Sequence, residues 1–158
     1  LQGDEVTSGA GPRVDIWNGS PPARTVSYTS QNLRSMVPAD GGPIDLVLFN
    51  QGHNQGSGSL AEESIGLLRD VGVLVPSAIV DVILQNPEYG VGGASDSHDR
   101  NLDELSVSAK INGFCVIDVR SAFESASDPR ALLDSSGIYP NIRGYRVWAE
   151  VVEKSLSE

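Results

Sequence analysis

The strongest constraint on the fold is an alternation of short apolar runs with longer segments of helical period. Most of the runs are almost continuously apolar, as expected of strands that are buried on both faces of a parallel sheet. The predicted strands are Arg13–Asn18, Ile44–Asn50, Ile79–Gln85 and Phe114–Val119. This alternation predicts an α/β fold, a three-layer α/β/α sandwich in which helices cover both faces of a mainly parallel sheet.

Four segments carry the helical period, and capping residues or helix breakers mark their ends. The clearest start is the capping-box pattern at Ser59, in which Glu62 follows three residues later. The helical segments are Thr25–Met36 (closed by Pro38), the one that begins at Ser59, Asp99–Ile111 (ended by Gly113) and the last one, capped by Asn141. The chain has 158 residues and no internal repeat, so residues 1–158 are predicted to form a single domain.

Composition argues against two classes of partner. The chain has 11 Lys and Arg against 21 Asp and Glu, so nucleic acid and anionic membrane surfaces are not expected partners. No apolar run approaches the roughly 20 residues that span a bilayer, so no membrane insertion is predicted. The only cysteine, Cys115, lies in the apolar run FCVIDV and is predicted to be a buried thiol.

The most informative motif follows the second predicted strand, in IDLVLFNQGHNQG. A buried strand leads into Gly52-His53-Asn54, so a side-chain amide is presented at the carboxyl edge of the sheet, where ligand sites of open α/β sheets gather. A fixed amide N–H can stabilise the negative charge that develops on a carbonyl oxygen. The motif therefore indicates a site at this edge.

Together with three further stretches, this motif resembles the SGNH (GDSL-type) hydrolases. Gly-x-Asn is similar to the third signature block of that family, whose Asn helps to form an oxyanion hole. The stretches LQGDEVTSG, VDIWNGSPPARTVSY and LLDSSGIYPNIRGYRVWAE resemble the first, second and last blocks. The resemblance covers nearly the whole chain and implies the SGNH-hydrolase fold. Only Leu1-Gln2 precede the first block, so the first strand is expected to be supplied upstream, replaced by another segment, or absent from a re-closed sheet.

The same resemblance places the family's catalytic triad on residues that cannot form one. Glu5 stands at the nucleophile position, Ser136 at the aspartate position and Tyr139 at the histidine position, while Ala23 replaces the second-block glycine. Glu5 has no hydroxyl, a phenol titrates at about pH 10, and Ser136 has no charge to steady an imidazolium. We therefore expect no catalytic residue, only vestigial triad positions.

The leading hypothesis is a non-catalytic SGNH-like domain that serves binding or assembly. The cleft is expected to present ligand-binding groups suited to hydroxylated molecules such as sugars, and no cofactor. These groups are Gly52, Asn54, Tyr139, Glu5 and His53. Similar domains are appended to phage tail and other surface-acting proteins, so the expected partner is a cell-envelope carbohydrate or another protein subunit. The expected location is extracellular or on a virion.

Two alternatives remain open. The first is an active esterase or deacetylase that acts on acylated carbohydrate, which requires a serine and a histidine that converge on Asn54. Its candidate residues are Ser8 or Ser20 with His53 or His98. The second is a purely structural subunit, in which the apolar faces near Trp17 and Trp148 matter more than the cleft.

A metal site is not predicted. His98 is flanked by Asp96 and Asp99, but consecutive loop positions rarely converge on one ion. We expect His98 to lie at a solvated helix start instead.

Overall fold

The computed structural model describes residues 4–6, 14–19, 22–37, 43–55, 58–90 and 93–157. In chain order the strands and helices are β1 (Asp4–Val6), β2 (Val14–Ile16), α1 (Val26–Asn32), β3 (Leu46–Phe49), α2 (Leu60–Leu74), β4 (Ile79–Leu84), β5 (Tyr89–Gly90), β6 (Gly93–Ala94), α3 (Asp96–Ile111), β7 (Cys115–Asp118), α4 (Val119–Glu124) and α5 (Ile142–Ser157). Short 3-10 helices span Leu33–Ser35 and Pro129–Leu132. Among these described helices, none is long and apolar enough to cross a bilayer.

A parallel sheet in the order β3-β4-β7 lies at the centre of the fold. Leu46 lies opposite Ile79, and Asp81 lies opposite Cys115. Three of the four predicted strands are confirmed, each slightly shorter than predicted. Because the strands are parallel, their carboxyl ends meet at one edge, and the loops after β3 and β4 start side by side.

Helices cover both faces of this sheet, so the predicted three-layer sandwich is confirmed. On one face, α1, α2 and α3 pack around Val82 and Leu84 of β4. On the other face, α4 and α5 pack around Ile83 of β4 and Ile117 of β7. Successive strand side chains point to opposite faces, so one strand supplies both cores. Each such buried aliphatic side chain contributes about 1.5–3 kcal/mol relative to exposure.

The first predicted strand does not join the parallel sheet. Val14–Ile16 pairs antiparallel with Asp4–Val6, and Val14 and Ile16 are 56% and 49% exposed. Antiparallel neighbours need only a short connection, whereas a parallel neighbour needs a crossover of a dozen or more residues. The prediction of a parallel strand here is therefore wrong. Within the described part of the chain, β3 pairs along one side only, with β4.

The predicted helix caps are confirmed. Ser59 Oγ accepts a hydrogen bond from the backbone N–H of Glu62 at 3.2 Å. Asn141 Oδ1 accepts one from the backbone N–H of Arg143 at 2.9 Å. These bonds satisfy N–H groups that have no partner inside the helix, which fixes where α2 and α5 begin.

Three features of the α3–α4 region differ from the predictions. The helix α3 begins three residues earlier than predicted because Ser95, and not a later residue, caps it. The short helix α4 was not predicted; Asp118 caps it through a hydrogen bond from Ser121 N–H at 2.9 Å. Cys115 is exposed and not buried. It shares a strand face with Ile117, which is buried.

Candidate functional site

A cleft of about 370 Å³ opens at the carboxyl edge of the parallel sheet. Its lining combines side-chain amides with aromatic rings. The amides belong to Asn50, Gln51, Asn54, Gln85 and Asn86, and the aromatic rings to Tyr139, Tyr145 and Trp148. Gly52 and His53 complete the wall beside Asn54. The structure thus brings together Gly52, His53, Asn54 and Tyr139, which the sequence resemblance placed at one site; that they bind a ligand stays a prediction.

The loop after β3 is fixed by a side chain from the neighbouring strand end. Gln85 Oε1 accepts a hydrogen bond from the backbone N–H of His53 at 2.8 Å, and Gln85 Nε2 donates to Asn50 Oδ1 at 2.8 Å. A Cβ at Gly52 would lie 2.8 Å from the same Gln85 oxygen, so the contact requires glycine there. Asn54 therefore extends from a loop of defined position.

Ala23 lies in the left-handed region, with φ 56°, and lines the cleft. This backbone conformation favours glycine, because a Cβ crowds the following carbonyl. It is the position at which the resemblance expects the second-block glycine. The backbone shape that calls for glycine is thus present, although the residue is alanine.

Tyr139 stands on the opposite side of the cleft, in the loop before α5. The carbonyl of the preceding residue, Ile138, accepts a hydrogen bond from Asn86 Nδ2 at 2.8 Å. The Tyr139 ring is 50% exposed and meets the His53 ring edge-on, with 6.3 Å between their centroids. An aromatic phenol therefore occupies the place where the resemblance expects a catalytic histidine.

Asp134 and Ser136 of the same loop bind each other. Ser136 Oγ donates a short hydrogen bond to Asp134 Oδ1, and the backbone N–H of Ser136 donates to the same oxygen at 3.0 Å. The side-chain hydrogen bond from Ser136 is the main reason that the pKa of Asp134 lies below its ordinary value. In this arrangement Ser136 stabilises its own turn and contacts neither imidazole of the chain.

Asn86 connects the elements around the cleft, and sequence reasoning missed it. It is 1% exposed, and Trp148 Nε1 of α5 lies 3.4 Å from its Oδ1 while its Nδ2 holds the Ile138 carbonyl. Its own carbonyl accepts from His98 Nε2 at 3.2 Å. A buried amide that satisfies several groups at once rigidifies its surroundings. The available signal was its place directly after a buried strand.

His98 is buried, contrary to the predicted solvated position. It is 4% exposed, and its ring stacks on that of His53 with 4.7 Å between centroids and 10° between planes. The reason is that α3 begins earlier than predicted, so His98 lies in its first turn and faces inward to Asn86. Burial, opposed by the nearby carboxylate of Glu88, lowers the pKa of His98 below the usual imidazole value.

Glu88, which sequence reasoning also missed, lies between the two histidines. Its Oε1 is 2.7 Å from His53 Nδ1 and 3.5 Å from His98 Nδ1. Burial alone raises the pKa of the Glu88 carboxyl, but the hydrogen bond from His53 and the charges of both imidazoles outweigh it. The pKa therefore lies below the ordinary value. Among the described residues, these three side chains have metal-ligating atoms that lie close enough together to hold one ion.

Several sequence-predicted residues are not placed at the cleft. Glu5 belongs by its backbone to β1, and its side chain lies outside the described part of the chain. Ser8 and Ser20 also lie outside the described residues. Asp96 and Asp99 do not group with His98 as metal ligands among the residues described. Trp17 is exposed, whereas Trp148 packs against the α4–α5 core and reaches the cleft.

Comparisons with known proteins identify the fold. No family model and no curated protein sequence matches the chain. Solved structures do match it. A GDSL-like lipase from Bacteroides thetaiotaomicron has 13% identity and a TM-score of 0.65 over 85% of this chain and 72% of its own. The lipase/acylhydrolase from Enterococcus faecalis has 14% identity and a TM-score of 0.65 over 85% and 71%. An acetylxylan esterase from Geobacillus stearothermophilus has 15% identity and a TM-score of 0.63 over 86% and 69%. The chain has the SGNH-hydrolase fold, as the sequence resemblance implied.

Proposed function

We propose that this SGNH-fold domain binds carbohydrate in its cleft and does not catalyse ester hydrolysis. The observation that carries the proposal is the lining of the cleft, which combines side-chain amides with aromatic rings. Amides both donate hydrogen bonds to hydroxyl groups and accept them. Aromatic rings with a polar tip offer a large apolar face that packs against a sugar ring while the tip stays wet. Tyr139 and Tyr145 are 50% and 59% exposed, so their rings are accessible to such a ligand.

The state of the triad positions supports a non-catalytic role. Tyr139 replaces the base, and Ser136 is engaged with Asp134 within its own turn. Within the described part of the chain, neither imidazole ring is hydrogen-bonded to a serine or threonine hydroxyl. A serine hydrolase needs a nucleophile joined to its base, and the base joined to an orienting carboxylate.

The comparison with solved structures supports the choice of ligand class. One structure of the same fold is an acetylxylan esterase, an enzyme whose name states a polysaccharide substrate. A cell-envelope polysaccharide is the partner we propose for this chain, with an extracellular or virion-associated location. Assembly with another protein subunit is compatible with the same cleft.

Glycan binding is the direct test of this function. The purified protein is screened on a glycan array, and the strongest glycan is then titrated by calorimetry. Asn54→Ala and Tyr139→Ala should each weaken binding about tenfold, which corresponds to about 1.4 kcal/mol. The matched control is Gln31→Ala, which removes an exposed side-chain amide of α1. This variant should bind glycan as the wild type does. Absence of glycan binding, or equal binding by all variants, contradicts the proposal.

One observation favours a second candidate, an ester hydrolase with displaced machinery. His53 lines the cleft and its Nδ1 lies 2.7 Å from Glu88 Oε1, which is the histidine–carboxylate half of a triad. Ser8 and Ser20 are its candidate nucleophiles. Turnover of an aryl ester, labelling of Ser8 or Ser20 by a fluorophosphonate, and loss of both in His53→Gln would establish this activity and replace the non-catalytic proposal.

A further inference from the structure

Three side chains from three separate segments converge below the cleft wall. His53 follows β3, Glu88 follows β4, and His98 lies in the first turn of α3. One ligand atom from each lies within 4.8 Å of the other two. Only 10%, 18% and 4% of these side chains, respectively, are exposed. The chain has two histidines in all, and both are in this cluster.

The donor set selects a class of ligand. Two imidazole nitrogens and one carboxylate oxygen are ligands that Zn²⁺ and related divalent transition metals prefer. Mg²⁺ and Ca²⁺ prefer oxygen ligands throughout. Three atoms bound tetrahedrally at about 2.1 Å from one ion lie roughly 3.4 Å from one another. The two distances to Glu88, 2.7 and 3.5 Å, bracket that spacing, and all three ligand atoms lie within 4.8 Å of one another.

The hydrogen bond that His98 makes through Nε2 leaves Nδ1 as its nitrogen for a metal ion. Its Nε2 lies 3.2 Å from the backbone carbonyl of Asn86, which can only accept, so Nε2 carries a proton. The other ring nitrogen, Nδ1, then faces the Glu88 carboxylate at 3.5 Å, and a cation between these two atoms balances the charge of the carboxylate. Metal-ligating histidines commonly donate their second N–H to a backbone carbonyl in this way.

From this geometry we propose that His53, Glu88 and His98 form a binding site for a divalent transition-metal ion of the Zn²⁺ type. The ion takes the place of the proton that joins His53 to Glu88. The two rings must tilt from their nearly parallel stack, because each nitrogen lone pair lies in the plane of its own ring. The partial exposure of Glu88 leaves a remaining coordination position for water.

The consequence of metal binding is structural. The ion would tie the loop that carries Gly52 and Asn54 to the end of β4 and to the start of α3. It would therefore fix the cleft wall at a point where Gln85 and Asn86 already hold it. This inference is tested independently of the proposed carbohydrate binding, because a metal titration contains no glycan.

The test uses the whole chain after treatment with a chelator. Calorimetric titration with ZnCl₂ should show uptake of one equivalent, and the melting temperature should rise with Zn²⁺ but not with Mg²⁺. His53→Gln and Glu88→Gln should each weaken Zn²⁺ binding roughly tenfold or more. Glu104→Gln, an exposed carboxylate of α3, and Cys115→Ser, the exposed thiol, are the controls and should bind Zn²⁺ as the wild type does.

A second measurement needs no variant. Addition of Co²⁺ should broaden the ring proton signals of both histidines in the NMR spectrum, together and before other side chains. The proposal is overturned if neither histidine responds, if only one does, or if the His53→Gln and Glu88→Gln variants take up Zn²⁺ with wild-type affinity. It is also overturned if Cys115→Ser abolishes the binding. Loss of glycan binding alone would leave these outcomes unchanged.

Discussion

The loop that follows β3 and the loop that precedes α5 face each other across the cleft, yet they are held in different ways. The β3 loop is tied to the next strand end: His53 bonds to Gln85 through its backbone and to Glu88 through its ring. The α5 loop receives one hydrogen bond from the Asn86 side chain, and the turn that carries Ser136 is held by its own pair Asp134–Ser136. The buried titratable groups His53 and Glu88 thus lie on the β3–β4 side, whereas two of the family's three triad positions, Ser136 and Tyr139, lie in a surface turn.

This difference bears on how a hydrolase fold can persist without its catalytic residues. A turn that satisfies its own polar groups does not depend on an imidazole or on a substrate for its shape. The β3 loop, by contrast, is held by Gln85 and Glu88, which are far away in the sequence. A substitution at either of these residues should therefore alter the position of the β3 loop. The following predictions test that contrast.

The largest expected effect comes from removing the group that joins the end of β4 to the α5 loop and to α5. Asn86→Ala leaves the Ile138 carbonyl and the Trp148 indole N–H without their buried partner. We expect a loss of about 3 kcal/mol in the free energy of unfolding, measured by urea denaturation, because each unsatisfied buried group costs about 1–3 kcal/mol. Asn101→Ala on α3 is the control and should change stability by less than about 0.5 kcal/mol. A small effect of Asn86→Ala would mean that the α5 loop does not depend on its hydrogen bond to the end of β4.

Gly52→Ala tests the close contact inside the β3 loop. The new methyl group displaces the Gln85 side chain, 2.8 Å away, and breaks its hydrogen bond to the His53 N–H. We expect a loss of about 2 kcal/mol in the free energy of unfolding. Gly72→Ala in α2 is a matched control, because a Cβ there meets nothing within 4 Å. It should stabilise the protein by about 0.5–1 kcal/mol through helix propensity. Equal effects of the two substitutions would refute the loop geometry.

Ala23→Gly should stabilise the protein, whereas Asn86→Ala and Gly52→Ala should destabilise it. Ala23 has φ 56°, a conformation that strains a residue with a Cβ. Relief of that strain should raise the free energy of unfolding by about 1 kcal/mol, less the entropy that glycine adds to the unfolded chain. Ala122→Gly in α4, where the backbone is helical, is the control and should destabilise. Destabilisation by Ala23→Gly would show that its backbone is not left-handed in solution.

Most of the fold could be predicted from the sequence because its signals are local. The apolar runs of β3, β4 and β7 and the caps at Ser59 and Asn141 each act within a few residues. The pairing of β1 with β2 could not be predicted, because strands of three residues carry too little pattern to choose a partner. A short antiparallel ribbon and a parallel edge strand look alike at that length.

The site could be predicted only in part. Gly52, Asn54 and Tyr139 belong to motifs that are continuous in the sequence, and the structure places them together at the cleft. The contacts of Glu88 with His53 and His98 join positions that no sequence motif connects. These contacts can therefore be recognised only once the positions of β4 and α3 in the fold are known. One usable signal was missed: polar residues directly after a buried strand, such as Asn86 and Glu88, reach the edge where sites form.

The smallest effect is expected in the self-contained turn. The hydrogen bond from Ser136 Oγ lowers the pKa of Asp134, so the pair stabilises the folded state above the unfolded-state pKa of Asp134 and loses this contribution as the pH falls through the lowered value. Ser136→Ala should therefore raise the Asp134 pKa towards its ordinary value, as measured by NMR titration of its carboxyl carbon. It should lower the unfolding free energy near pH 7 slightly, because the contribution of this exposed hydrogen bond is present at that pH. Ser127→Ala, another exposed serine, should leave the titration of Asp134 as it is. If Ser136→Ala instead shifts the ring signals of His53, the turn communicates with the β3–β4 side and the contrast between the two loops fails.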